Sequence, residues 1–148
     1  MAVPTIRYSV GNEHNPGDPW GRSELVIRAD GSARLDHYFS RGREQRAWAG
    51  WVDASATREL LAALDQAGFP AVPPATPLPP GTVLRCLTVE ADGAARQAVI
   101  SWHRTASLPG YAEAFDLIDA VIRQLSGEAV DYPTKRGPVV QGAVAVQP

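Results

Sequence analysis

Tyr111-Ala-Glu-Ala-Phe-Asp-Leu-Ile-Asp-Ala-Val-Ile-Arg-Gln-Leu125 is the stretch whose reading decides the fold. Ala114, Phe115, Ile118, Val121, Ile122 and Leu125 recur at the three-to-four-residue spacing of one helical face. Glu113, Asp116, Asp119 and Arg123 fall on the other face, and Asp119 and Arg123 stand at i,i+4 as a favourable pair. Pro109 suits the first turn, and Gly127 suits the position just past the end. A helix of this kind cannot bury its apolar stripe alone. It needs an apolar sheet face to cover.

Upstream of it, Val83–Glu90 and Ala94–Trp102 flank Asp92-Gly93. A two-residue turn there sets Leu87 opposite Ala98 and Val83 opposite Trp102. Further back, Asp53 suits the N-cap of a helix Ala54–Ala67 with Leu60, Leu61 and Leu64 as its stripe. Gly68 ends that helix and Phe69 folds back onto the same core. Pro70–Gly81 carries Pro70, Pro73, Pro74, Pro77, Pro79 and Pro80, so it reads as an extended polyproline strap from helix to strand. Its PxxP spacing also suits an SH3-type ligand, but no Arg stands beside the prolines.

The first third of the chain reads as a meander. Thr5–Val10 alternates as a strand, and Gly11–Gly21 is a loop ending at Trp20. Ser23–Ala29 and Ser32–Phe39 flank Ala29-Asp30-Gly31. A three-residue loop with Gly31 left-handed sets Leu25 opposite Leu35 and Ile27 opposite Ala33. A two-residue turn would set Ile27 opposite Arg34, so the first register is preferred because it keeps apolar residues on one face. Ser40–Arg43 is a turn, and Glu44–Val52 is a strand whose Trp48 and Trp51 point to opposite faces, one core and one not.

Arg28-Ala-Asp-Gly-Ser-Ala-Arg34 and Glu90-Ala-Asp-Gly-Ala-Ala-Arg96 are nearly the same string, each between two strands that lead to a helix. Two ββα units are one reading, and convergence on turn chemistry is the other. Either way the expected fold is a single α+β domain over residues 1–127. It is an antiparallel sheet of five to six strands with two helices packed on one face. Residues 128–148 lose periodicity and read as a flexible tail, although Val139–Val146 is apolar enough to add to a sheet edge.

Composition narrows the function. In 148 residues, 45% hydrophobic and 20% charged describe a soluble globular domain, and a net charge of −2 argues against general nucleic-acid affinity. The bias to Arg over Lys, with Lys135 the one lysine, suggests GC-rich, bacterial coding. The single Cys86 excludes an intrachain disulfide and a cysteine-based zinc site, and among apolar neighbours it reads as a small buried hydrophobe. No run has signal-peptide length or the ~20 apolar residues of a membrane span, so a cytoplasmic location without membrane contact is expected.

Catalytic signatures are missing. His14, His37 and His103 have no metal-ligand spacing, and Asp116 and Asp119 read as a solvated stripe. Ser101 and His103 share a strand face roughly 7 Å apart, too far for direct activation. No phosphate loop, dinucleotide fingerprint or nucleophile elbow occurs. No catalytic residue, metal or cofactor is therefore assigned. The aromatic residues are the remaining signal: Trp20, Tyr38, Trp48 or Trp51, and Trp102 lie on strands or strand ends of one sheet, beside Arg34, Arg41, Arg43 and Arg46. Aromatic plus Arg is the composition of protein-binding hot spots, though tryptophans also plug the curl of a small sheet.

From Val52 onward, the Leu60-Leu61-x-x-Leu64 helix, Gly68-Phe69-Pro70, the proline strap, the hairpin and the final helix resemble emfourin-like bacterial inhibitors of thermolysin-type metalloproteases. The likeness covers about half the chain and rests on pattern. Immunity proteins of interbacterial toxins share the profile. The resemblance implies a non-enzymatic module that inhibits or neutralises a toxin or protease. Its expected site is an aromatic and Arg sheet surface made of Trp20, Tyr38, Arg41, Arg43, Arg46, Trp48 and Trp51. The rival expectation is a small-ligand binder or enzyme with a sheet cavity near His37, Trp48 and His103. A closed pocket with convergent polar groups favours the rival; a flat exposed aromatic patch favours the binder.

Overall fold

Each hairpin takes the register that turn chemistry demands. The computed structural model describes residues 3–11, 21–39, 44–74 and 82–148. Its strands are β1 (Thr5–Gly11), β2 (Arg22–Ile27), β3 (Ser32–Tyr38), β4 (Gln45–Val52), β5 (Leu84–Ala91), β6 (Ala94–Ser101) and β7 (Val140–Val146). Helices α1 (Ala54–Ala67) and α2 (Tyr111–Leu125) join them, with a 3-10 helix at Trp102–Ser107. Between β2 and β3, Leu25 faces Leu35 and Ile27 faces Ala33, with Gly31 at φ 91° closing the three-residue loop. Between β5 and β6, Asp92 and Gly93 at φ 52° and 75° make the tight turn that sets Leu87 against Ala98.

One antiparallel sheet of seven strands results, in the order β6-β5-β1-β2-β3-β4-β7. Alternate residues, among them Ile6, Tyr8, Leu25, Ile27, Leu35, Leu87 and Ile100, form one core with Leu60, Leu64, Phe115, Ile118 and Ile122 of the helices. Each large side chain so buried is worth about 1.5–3 kcal/mol relative to exposure. Helix α1 carries the chain from β4 across to β5, and α2 carries it back toward β7. The two helices touch where Gly110 opens α2. A Cβ at Gly110 would stand 2.6 Å from the Ala67 nitrogen and 2.7 Å from the Ala63 oxygen, and its φ is 84°, so only glycine fits.

Four expectations are corrected. The sheet has seven strands, not five or six, and the two expected helices are accompanied by a 3-10 helix at Trp102–Ser107. The seventh strand comes from the segment expected to be a flexible tail, so the domain does not end at residue 127. Val130, Tyr132 and Val139 are buried in the core, and β7 pairs antiparallel with β4. Asp53 helps to hold it, because its Oδ1 accepts from Gln141 Nε2 at 3.0 Å instead of capping α1.

The third correction concerns the polar side of α2. Asp119 is not on a solvated face: it is 3% exposed and pairs with Arg85, while Arg123 pairs with Glu128 and Asp131. Residues 128–139 lie along the polar side of α2 and hydrogen-bond to it. Thr134 Oγ1 donates to the Asp116 carbonyl at 3.0 Å, and Gln124 Oε1 accepts from the Val139 amide at 2.7 Å. Fourth, Cys86 is half-buried on the sheet face away from the helices, where Gln97 Nε2 stands 3.0 Å from its sulfur.

The loop before β2, the turn before β4 and residues 75–81 of the proline strap lie outside the described residues. The described start of the strap is tied down at two points. Tyr111 Oη donates to the Ala71 carbonyl at 2.6 Å, and Arg104 Nη2 donates to that of Pro73 at 2.8 Å.

Candidate protein-binding face

Strand alternation sends half of the sheet's side chains away from the helices. Because the registers are continuous, these residues line up in rows across all seven strands. One row runs Gln97, Thr88, Arg7, Val26, Arg34, Ala49, Val144 from β6 to β7. The next runs Val99, Cys86, Ser9, Glu24, Asp36, Ala47, Val146. No described element covers this face.

Its arginines are matched within the face. Arg7 pairs with Glu90, Arg22 with Glu24 at 3.2 Å, and Arg34 with Asp36 at 3.0 Å. Arg34 also donates through Nη2 to the Gln147 carbonyl at 2.9 Å, which ties the end of the chain to the sheet. A charge-balanced surface of this kind holds no concentrated positive field for phosphate.

Trp51 stands at the β4–β7 corner of the face, 52% exposed, with Val144 58% exposed on the neighbouring strand. Two local features put it there. Trp51 shares its face with Ser32, opposite it on β3, so it points away from the core. The β4–β7 register also shifts between Ala49 and Trp51, with Gly142 at φ 65° in the bulge. A Cβ on Gly142 would lie 3.6 Å from the Trp51 Cδ1, so the indole rests beside bare backbone. Tyr38, half-buried, lies on the same face with the Arg22 guanidinium 4.4 Å from its ring centroid.

The expected site is thereby divided. Trp51 and Tyr38 lie on the open face. Trp48 does not: it lies opposite Leu35, faces the helices and is 4% exposed. One tryptophan in the core and one outside is what alternation requires. Arg46 shares the Trp48 side of the sheet, its guanidinium 4.9 Å from the Trp48 ring centroid, and so, although exposed, does not belong to the open face. Trp20, Arg41 and Arg43 lie outside the described residues. Val144, Val99 and Leu84 belong to the exposed apolar surface and were not singled out from the sequence. The alternating apolar residues of Val140–Val146 were the available signal.

Two polar clusters sit beneath the helices. In the first, Arg85 Nη1 donates to Asp119 Oδ1 at 2.9 Å and to the Tyr8 hydroxyl at 3.0 Å, and Nη2 donates to Asp119 Oδ2 at 3.2 Å. The guanidinium lies 3.7 Å from the Trp102 ring centroid and 5.0 Å from that of Phe115. Burial pushes the Asp119 carboxyl up to about 6, against the pull of Arg85, and burial also raises the Tyr8 hydroxyl. An open cleft of about 390 Å³ stands above, lined by Arg85, Trp102, Thr105, Glu113, Asp119 and Lys135 among others. A carboxyl near 6 suits proton transfer. Here it is clasped at both oxygens by Arg85, and among the described residues no serine or cysteine lines the cleft.

In the second cluster Ser23 Oγ lies 2.7 Å from His37 Nδ1 and 2.9 Å from the Tyr132 hydroxyl. A serine beside a histidine has the spacing of a nucleophile and its base. Ser23, His37 and Tyr132 are each at most 1% exposed, so no substrate reaches them. Among the described residues the cavity expected near His37, Trp48 and His103 is not formed: His37 and Trp48 are core, while His103 is exposed on the 3-10 helix. Among the described residues no three His, Cys, Asp or Glu side chains gather as metal ligands. Compared with protein-family models and with curated proteins, the sequence matches none, so the surface must be read from its own geometry.

Proposed function

We propose that this chain is a non-enzymatic protein-binding module that neutralises a partner protein through its open sheet face, in the manner of an immunity protein or protease inhibitor. The observation that carries the reading is Trp51, half exposed beside Val144 on an uncovered sheet. A large indole left in water is a standing cost unless a partner removes it, and Trp is the side chain that most often dominates an interface. The arginines around it are already paired, so the partner's matching surface is an apolar pocket for the indole with a polar rim. A protein offers that; a polyphosphate does not. The target class, a toxin or a protease, comes from the emfourin-like pattern of Val52–Leu125 and belongs to the proposal. The buried Ser23–His37 pair and the Arg-clasped Asp119 support a non-enzymatic reading, since neither presents a free reactive group.

The test begins with a partner isolated on tagged wild-type chain and then purified. Trp51→Ala should weaken its binding roughly thirtyfold or more, and relieve any inhibition of its activity in parallel. Val99→Ala, on the far side of the same face, should bind as wild type. Wild-type affinity in Trp51→Ala would sink the reading.

A further inference from the structure

The sheet ends differently at its two edges. Strand β6 carries Arg96, whose guanidinium lies 5.3 Å from the Phe69 ring centroid, and a charged side chain on an edge discourages a further strand. Strand β7 has no such guard. Its sequence, Val140-Gln-Gly-Ala-Val-Ala-Val146, contains no charged side chain and no proline, and residues 137–148 as a whole carry no charged side chain. Among the described residues nothing pairs with its outer side, where alternate backbone N–H and C=O groups stand open. Gln141 through Ala145 are exposed.

We propose that β7 is a self-association edge: two copies pair their β7 strands antiparallel about a two-fold axis perpendicular to the sheet. The occupant is a second copy of this chain for two reasons on the strand itself. A strand without charge meets its own copy with no like charges opposed, although the whole chain carries a net −2. An antiparallel pair of identical strands also closes on itself as a two-fold dimer, leaving no free β7 edge.

The bulge limits the paired stretch. Gly142 breaks regularity, so the straight stretch from Ala143 to Val146 does the pairing. Directly opposed residues must share a face, and the pairing proposed sets the exposed Val144 opposite Val144 on the axis and Ala143 opposite Ala145. An axis perpendicular to the sheet also keeps both open faces on one side. The dimer therefore presents one continuous fourteen-stranded surface, two seven-stranded sheets joined edge to edge. This inference does not depend on the partner-binding reading.

Light scattering on the full chain across about 5–200 µM tests it, since mass action reveals a dimer by its concentration dependence. The expected result is twice the 15.8 kDa chain mass at the high end. Val144→Lys sets two ammonium groups against each other on the axis and should weaken the dimer at least tenfold, with the circular dichroism spectrum unchanged. Val99→Lys, near the other edge, should leave the dimer intact. In a Cys86→Ser background, Val144→Cys should cross-link to itself under mild oxidation, while Leu84→Cys should not. A wild-type chain monomeric throughout overturns the proposal, as does a dimer untouched by Val144→Lys or unlinked by Val144→Cys. None of these outcomes bears on the Trp51 binding test.

Discussion

The Asp119 carboxylate meets the Arg85 guanidinium end-on and bidentate, with contacts of 2.9 and 3.2 Å, and both side chains are about 5% exposed. This pair ties α2 to β5 beside the indole of Trp102, which opens the 3-10 helix. Burying two charges costs several kcal/mol each, which their attraction and the Tyr8 contact offset. Removing one partner therefore leaves the other charge stranded. Asp119→Ala should lose about 3–5 kcal/mol in chemical denaturation. Replacing both, as Arg85→Met with Asp119→Leu, should recover most of that loss. Equal losses in the single and double variants would mean that the pair is not a unit.

The same carboxyl gives the stability a specific pH dependence. Its folded value is raised from 3.8 to about 6, with burial as the first cause. A raised folded value means that the native chain binds the proton more tightly than the unfolded chain. The contribution is therefore fully present below about pH 4 and is lost as pH rises through 6. Relative to Asp119→Asn, the wild type should lose on the order of 2–3 kcal/mol between pH 4 and 7, at 1.36 kcal/mol per unit. Carbon-13 titration of the Asp119 carboxyl is the direct check. A midpoint below 4 would show that Arg85 outweighs burial.

Residues 128–148 are integral. Val130, Tyr132 and Val139 are buried, Tyr132 reaches Ser23, and β7 covers the outer edge of β4. Truncation after Gly127 should lower the melting temperature by more than about 5 °C, since 1 kcal/mol shifts a domain of this size by several degrees. Truncation after Val139 should cost less, because it spares those three side chains and removes an exposed strand. Equal melting temperatures for the full chain and the first truncation would show that this segment contributes nothing.

These results mark where the sequence was legible. Both hairpin registers and both helix spans were readable, because turn glycines and one-sided apolar residues constrain them locally. Asp119 was misplaced because helical spacing describes one helix and not what lies on it. The Arg85 guanidinium that meets Asp119 comes from β5, a strand distant in sequence. Strand β7 was hard to see because small residues and Gly142 give it a weak alternation, and its partner β4 lies far away in sequence. Cys86 looked buried from its neighbours, but its place in the alternation puts it on the open face.

Trp48 and Trp51 sit three residues apart, and alternation could say only that they part company. The β3–β4 register decides which is which, because Leu35 faces the core and Trp48 lies opposite it. Their variants should accordingly separate stability from binding. Trp48→Ala empties a packed site under α2 and should cost about 3–5 kcal/mol. Trp51→Ala removes a half-exposed side chain and should change stability by less than about 1 kcal/mol. In partner binding the order should reverse, with Trp51→Ala carrying the loss and any folded Trp48 variant, such as Trp48→Phe, binding close to wild type. Denaturation curves and a titration on the same two proteins are sufficient. If Trp48→Phe loses affinity while folded and Trp51→Ala keeps it, the helix side of the sheet is the functional surface and the open face is not.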